Sequence, residues 1–100
     1  MSTASSDVVQ IQLDEVLDIS TVGELRNILL LALEDKQPVR LAGTDIARAD
    51  TAALQMLSAF IKDAKAQAQE VAWEAPSAAL LEAAQLLGLS GVLGLEVQAG

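Results

Sequence analysis

The most constraining feature of this sequence is a long apolar periodicity that begins in the middle of the chain, directly after Asp50 and Thr51. Apolar residues recur there at steps of three and four, which is the spacing of one helix face, and they predict a helix over about 51–69. Asp50 and Thr51 mark its start, because both side chains can accept hydrogen bonds from the unpaired N–H groups of a first turn. The recurring residues are Leu54, Leu57, Ile61, Ala64 and Ala68.

Two further helices are predicted, one on each side of the central one. Thr21 and Glu24 fit a capping box that opens a helix over about 21–35, and Pro38 prevents that helix from continuing. Ser77 caps a third helix, and Gly88 stands where a left-handed residue closes it. The residues expected to face the core from this third helix are Leu80, Leu81, Ala84 and Leu87.

Short runs rich in β-branched residues separate the helices and predict strands. Strands that alternate with helices predict an α/β fold, with a mixed, mostly parallel sheet of about four to five strands and three main helices. We expect one domain over residues 8–98, preceded by a disordered tail at 1–7. The predicted strands are 8–13, 16–17, 39–42, 71–75 and 95–97.

Composition narrows the classes of function. The net charge of −8 with only six Lys and Arg argues against nucleic acid and anionic membrane as partners. The chain has no His, Cys or Tyr, so the usual nucleophile–base pairs cannot form, and we expect no enzyme activity, metal or cofactor. No apolar run is long enough for membrane insertion, and the first residues do not resemble a signal peptide, which predicts a cytoplasmic protein.

The start of the central helix carries the candidate functional residues. The Thr51 hydroxyl lies at a helix N-terminus, where a phosphate is well tolerated. Ala53, Met56 and Phe60 follow their own helical spacing beside the main apolar stripe. Two interpretations stay open for these three residues: the stripe packs under the last helix or strand, or it is a partner-facing patch in which flexible Met gives adaptable contact. Arg48 can pair with Asp50 or steer a phosphate, although a solvated loop charge is the default interpretation.

Two segments resemble those of a known family. Asp50-Thr51-Ala52-Ala53-Leu54 resembles the Asp-Ser/Thr-x-Gly/Ala-Leu motif of STAS domains, the anti-sigma-factor antagonist fold. Leu17-Asp18-Ile19-Ser20-Thr21 resembles the "Leu-Asp" segment that precedes the first helix of that family. The spacing between the segments and the order of the elements also match, so the resemblance covers roughly residues 8–97.

The resemblance implies a non-enzymatic bacterial regulatory protein that acts in signal transduction by protein–protein binding. It implies that Thr51 is a phosphoacceptor for a partner serine kinase of the GHKL type, which is also an anti-sigma factor, and that a phosphatase removes the phosphate. Asp50 and Asp18 are then acidic neighbours of Thr51 at one end of the sheet. Such a phosphate adds nearly two negative charges, which those two carboxylates would repel.

A second kind of STAS protein is also compatible with the motif. Some family members act without phosphorylation, notably the STAS subunit of bacterial phospholipid-transport ABC complexes, which docks on the ATPase; a chemosensory assembly is a related alternative. The Thr is present in both kinds, so it does not choose between them. Two positions depart from the family pattern: Ala42 stands where many members carry Asp, and Ala53 replaces the more usual Gly.

Overall fold

The computed structural model describes residues 8–95. The predicted tail at 1–7, and residues 96–98 of the predicted last strand and domain end, lie outside the described residues. The elements, in chain order, are β1 Val9–Gln12, β2 Val16–Leu17, α1 Ile19–Asp35, β3 Val39–Ala42, β4 Arg48–Ala49, α2 Thr51–Ala66, β5 Val71–Glu74, α3 Ala78–Leu86 and α4 Ser90–Leu93.

The strands of the described chain form two parallel sheets. The larger has the order β1-β3-β5, so β3 lies in the centre, and the smaller is the pair β2-β4. This confirms the predicted α/β class with a parallel sheet and helices between the strands. β4 was not predicted from the sequence, because Arg48 and Ala49 are too few residues to show an alternating pattern.

The core lies between one face of the larger sheet and the helices. Leu41 of β3, and Leu54 and Leu57 of α2, are completely buried there, as the helical spacing in the sequence predicts. Burial of each such leucine stabilises the fold by about 1.5–3 kcal/mol. The other sheet face carries mostly polar, exposed side chains, with Ala42 buried among them. The exposed polar residues include Gln10, Gln12, Arg40 and Glu74.

The start of α1 differs from the prediction. Its N-cap is Asp18, and Thr21 is the third helical residue of the capping box. The Asp18 carboxylate accepts from the backbone N–H of Ser20 at 3.0 Å, and the Thr21 hydroxyl accepts from the backbone N–H of Asp18 at 3.2 Å. Asp and Thr at this spacing make the same reciprocal contacts as the Thr21 and Glu24 pair that we expected, so the N-cap lies three residues before the predicted one.

The end of α2 also differs, because the helix stops at Ala66 rather than at residue 69. Ala68 adopts a left-handed φ of 58°, which turns Gln69 back into the core. The Gln69 side-chain amide donates to the carbonyl oxygens of Ala32 at 2.9 Å and Gln37 at 2.7 Å. The Ala32 carbonyl also accepts from the Lys36 backbone N–H at 3.3 Å, and Gln37 lies beyond the end of α1, so the Gln69 side chain ties the segment before β5 to the end of α1.

The third helix follows most of its prediction. Ser77 caps it by accepting from the Leu80 backbone N–H at 3.1 Å, and Gly88 has the left-handed φ of 71° that ends it. Leu80 and Ala84 are fully buried and Leu81 is half-buried. The inward position expected for Leu87 is wrong, since α3 ends at Leu86 and Leu87, in the closing turn, is 40% exposed.

Candidate functional site

The pairing of β2 with β4 brings two acidic segments together. Leu17 lies opposite Ala49 in this parallel pair, and the Asp50 backbone N–H donates to the Leu17 carbonyl oxygen at 2.8 Å. Asp18 and Asp50 are the residues that follow the two strands, so they emerge side by side at the same end. Each is the N-cap of a helix, α1 and α2, and the two helix N-termini therefore meet at this surface.

Asp18 is held as an ionised cap. Its Oδ1 accepts from the Ser20 hydroxyl at 2.6 Å and from the Ser20 backbone N–H at 3.0 Å. The hydroxyl bond is the largest cause that holds the pKa of Asp18 below its ordinary value, followed by the backbone bond. The positive charge of Arg48 acts in the same direction, while partial desolvation opposes it.

Asp50 is a helix cap of a different kind. Its backbone carbonyl accepts the first helical bond from the Leu54 N–H at 3.1 Å, but its side chain makes no capping hydrogen bond, contrary to the prediction. The carboxylate instead lies 3.6 Å from Nε of Arg48, with both side chains largely exposed. Such an exposed ion pair adds about 0–1 kcal/mol to the free energy of unfolding. Its main effect is to hold the Arg48 and Asp50 side chains beside each other at the site.

Thr51 is exposed and is the first residue of α2. It lies on the wall of a shallow groove of ≈ 250 Å³ between the start of α2 and the end of α3. The opposite wall is apolar, and its Leu86 side chain is 82% exposed. The groove is lined by Ala49, Asp50, Thr51, Ala83, Leu86 and Leu87. A hydroxyl, a carboxylate and an apolar ridge therefore share one small surface.

Sequence reasoning missed the leucine wall of this groove, although a signal for it exists. If Leu80 and Ala84 face the core of a helix, Leu86 points about 240° around the helix axis from Leu80, which is toward solvent. An outward leucine near the end of a short helix was available from the spacing alone. The spacing does not predict that Leu86 lies close to Thr51, because α3 begins more than twenty-five residues after Thr51 in the chain.

The apolar residues that we expected beside Thr51 lie elsewhere. Ala53 is 0% and Phe60 4% exposed, so both lie in the core, which favours the first of the two interpretations, that the stripe packs inside the domain. Met56 is half-buried and lines a second groove of ≈ 230 Å³, between α1 and α2, together with Phe60 and Leu30. A direct role of these residues in partner binding stays a prediction, and Met56 is the most accessible of the three.

The described residues limit the chemistry of the site. Residues 8–95 contain no cluster of three or more His, Cys, Asp or Glu side chains that could hold a metal ion. Within the same range, no helix combines the length and apolar character needed to cross a membrane. What the surface around Thr51 offers is a free hydroxyl position at a helix N-terminus, two carboxylates, one guanidinium and an apolar wall.

Comparisons with known proteins identify the family. A family model described as "Mlab, STAS domain" matches residues 1–95. The chain belongs to the STAS domain family. STAS domains are in general binding and regulatory domains that act through protein–protein contacts. In this STAS domain, Asp18 and Asp50-Thr51 occupy the two segments that carried the resemblance in the sequence.

A structural comparison supports the same fold. The chain is similar to the NMR structure of the protein TM1081, with a TM-score of 0.71 over 87% of this chain and 71% of that chain. The two share 17% sequence identity, so the likeness concerns the fold. A search of curated proteins finds no match.

Proposed function

We propose that this STAS domain is a cytoplasmic bacterial regulator that binds a protein partner through the surface around Thr51, and that phosphorylation of Thr51 releases the partner. The observation that carries the proposal is the β2-β4 pair, which places the exposed Thr51 beside Asp18 and Asp50, at the edge of the groove toward Leu86. The expected partner is an anti-sigma factor with a GHKL-type serine kinase fold, and a phosphatase reverses the reaction.

The electrostatics of the surface support a switch. A phosphate on Thr51 would be tolerated within the fold, because it would lie at the positive end of the helix dipole of α2. The same phosphate would add nearly two negative charges next to Asp50 and near Asp18. A partner that covers the apolar wall at Leu86 would have to remove water from those charges, so the complex would weaken while the domain stayed folded.

Substitutions at Thr51 test the proposal. We expect Thr51→Ala to abolish labelling by the partner kinase and to retain partner binding. Thr51→Glu, which adds a negative charge at the same point, should weaken the complex by roughly tenfold or more, as measured by titration calorimetry. Phosphosite mapping of the protein from cells should find the phosphate on Thr51.

Ala52→Glu is the matched control for Thr51→Glu. Ala52 is the exposed neighbour in the same first turn of α2, so this variant adds the same charge to the same helix end. The proposal requires a much smaller loss of affinity for Ala52→Glu than for Thr51→Glu. Equal losses, or a phosphate found in cells only at other residues, would contradict it.

A second candidate function is supported by the exposed apolar wall. Leu86 is 82% exposed in the free chain, and permanent burial of such a side chain by a partner is favourable by about 1.5–3 kcal/mol. The STAS domain would then be a constitutive docking subunit, on the ATPase of a phospholipid-transport ABC complex or on a chemosensory component. An ABC ATPase or chemoreceptor component that co-purifies in fixed proportion, with Thr51 unphosphorylated, would favour this role over the first.

A further inference from the structure

The outer edge of β1 is open within the described part of the chain. β1 is the first strand of the order β1-β3-β5 and pairs there only with β3. The five residues Val9-Gln10-Ile11-Gln12-Leu13 carry no charge, and the Gln10 and Gln12 side chains are exposed. An uncharged open edge is a template for strand addition, which proteins ordinarily prevent with charged residues or proline.

The opposite edge of the same sheet is protected in this way. β5 is the other outer strand, and it is flanked by Glu70, ends at Glu74 and is followed by Pro76. Charges at both ends and a proline two residues beyond oppose pairing with another strand. β1 is also followed by acidic residues, Asp14 and Glu15, but it has no charge within residues 9–13 and no proline directly after it. The charge inside β5 at Glu74 and the proline that follows it therefore distinguish the two edges and favour β1 for a partner strand.

The hydrogen-bonding groups of β1 point in a defined direction. The backbone N–H groups of Val9 and Leu13 donate toward β3, to the carbonyl oxygens of Pro38 at 2.8 Å and Ala42 at 3.0 Å. Because successive residues of a strand alternate in direction, the N–H and C=O groups of Gln10 face away from β3, and those of Gln12 do the same. These two residues are the ones that an added strand would contact.

We infer that the added strand is β1 of a second copy of this chain, paired antiparallel about a two-fold axis at Ile11. The order of residue types in the segment is the same in both directions: apolar, Gln, apolar, Gln, apolar. In this register Gln10 lies opposite Gln12 of the second copy, and the two outward-facing pairs exchange about four backbone hydrogen bonds. On the two-fold axis, Ile11 of one copy lies opposite Ile11 of the other. On the helix-covered face of the sheet, Val9 of one copy lies opposite Leu13 of the other.

Exposed apolar side chains on α1 lie beside this interface and can contribute to it. Ile28 is 42% and Leu31 63% exposed, three residues apart on one helix face. Ile28 lines a small cleft with Gln12 and Leu13, so this face of α1 lies on the β1 side of the domain. A two-fold axis perpendicular to the sheet puts both α1 helices on the same side of the joined sheets, where these side chains approach each other.

Charge also favours contact at this strand. Two chains that each carry a net charge of −8 repel each other over most of their surfaces. The uncharged β1 segment is a place where two copies can meet without setting like charges directly opposite each other. The interface is separate from the surface around Thr51, so it goes beyond the proposed function and can be tested independently of it.

Two double variants that differ only at position 12 test the register. In Gln10→Lys/Gln12→Lys, each new lysine faces a lysine of the second copy, and sedimentation equilibrium should give a dimer Kd raised roughly tenfold over the wild type. In Gln10→Lys/Gln12→Glu, each lysine faces a glutamate, and the Kd should equal or fall below that of the wild type. The wild-type chain should dimerise as its concentration rises.

Loss of fold will not mimic the expected result. Both positions are exposed, and a lysine at position 10 faces Glu74, whose carboxylate now accepts from the Gln10 amide at 2.8 Å. Emission of the single Trp, Trp73, reports the folded state in each variant. A wild-type chain that stays monomeric at every concentration, as would follow if residues 1–7 or another protein occupied the edge, overturns the inference, and so do equal Kd values for the two variants.

Discussion

At the scale of single residues, Asp18 links the fold to the surface around Thr51. It caps α1 through Ser20, and it contributes one of the two carboxylates beside the start of α2. The interactions that lower its pKa are the same ones that fix its position, since they favour the ionised form. Its ionisation therefore couples the stability of the domain to the charge of its binding surface.

This coupling predicts a pH dependence of stability. The pKa of Asp18 is lower in the folded than in the unfolded chain, so its stabilising effect is complete above the ordinary pKa of an Asp and is lost as the pH falls through the folded value. Asp18→Asn keeps a side chain that can cap a helix but cannot ionise. We expect the wild type to be the more stable at neutral pH and the difference to vanish in acid.

Urea unfolding of both proteins over a pH series, followed by Trp73 fluorescence, measures this difference. Asp14→Asn serves as a control, because Asp14 is an exposed carboxylate in the connection between β1 and β2. A difference between the wild type and Asp18→Asn that is independent of pH would show that the cap does not depend on ionisation.

At the scale of elements, the functional surface depends on two strands of two residues each. β2 and β4 are too short to be stable by themselves, so their pairing depends on the elements that follow them, α1 and α2. Asp18 and Asp50 start those helices directly after the strands, which explains why the acidic pair lies at their junction. A change that shifts either helix start would move the carboxylates as well.

Two glycines test how backbone conformation contributes to the stability of this fold, one inside a helix and one after a helix end. Gly23 lies within α1 and Gly88 follows α3 with a φ of 71°; an added Cβ would contact nothing within 4 Å at either position. We expect Gly23→Ala to stabilise the domain by about 0.5–1 kcal/mol, since alanine is the better helix former. Gly88→Ala should destabilise it by about 1–2 kcal/mol, because a Cβ is unfavourable in the left-handed region.

Each glycine variant is the control of the other, because both add one methyl group to open space. Denaturant unfolding of the two variants against the wild type measures the effects. Changes of the same sign at both positions would mean that packing, and not backbone conformation, governs them.

At the scale of the whole molecule, the net charge of −8 opposes both folding and self-association. Sodium chloride screens this repulsion, so we expect the melting temperature to rise by a few degrees between low and physiological salt. A stabilisation of about 1 kcal/mol corresponds to roughly 4–8 °C in a domain of this size. Thermal unfolding followed by circular dichroism at two salt concentrations checks this.

The Gln10→Lys/Gln12→Lys variant gives the comparison for the salt effect. It carries two more positive charges at exposed positions, so its melting temperature should depend less on salt than that of the wild type. An equal dependence would mean that local pairs, and not the net charge, set the response to salt.

The sequence by itself determined the features that local patterns encode. The helical stripe after Asp50, the cap at Ser77 and the stop at Gly88 each depend on residues a few positions apart, so α2 and α3 were predicted close to where they lie. The start of α1 was missed by a few residues because two overlapping pairs, one from Asp18 and one from Thr21, fit the same capping pattern.

Only the tertiary structure decided what lies beside Thr51. The two-residue strand β4 shows no periodicity, so local pattern does not predict the pairing that sets Asp18 next to Asp50, and only the family resemblance placed the two carboxylates at one end of the sheet. Both apolar stripes of α2 are buried, because α1 and α4 pack against this helix, so Ala53 and Phe60 lie in the core. Leu86, on α3, stays exposed beside Thr51. Local spacing fixes the face of a helix, while the neighbours of that face come from distant parts of the chain.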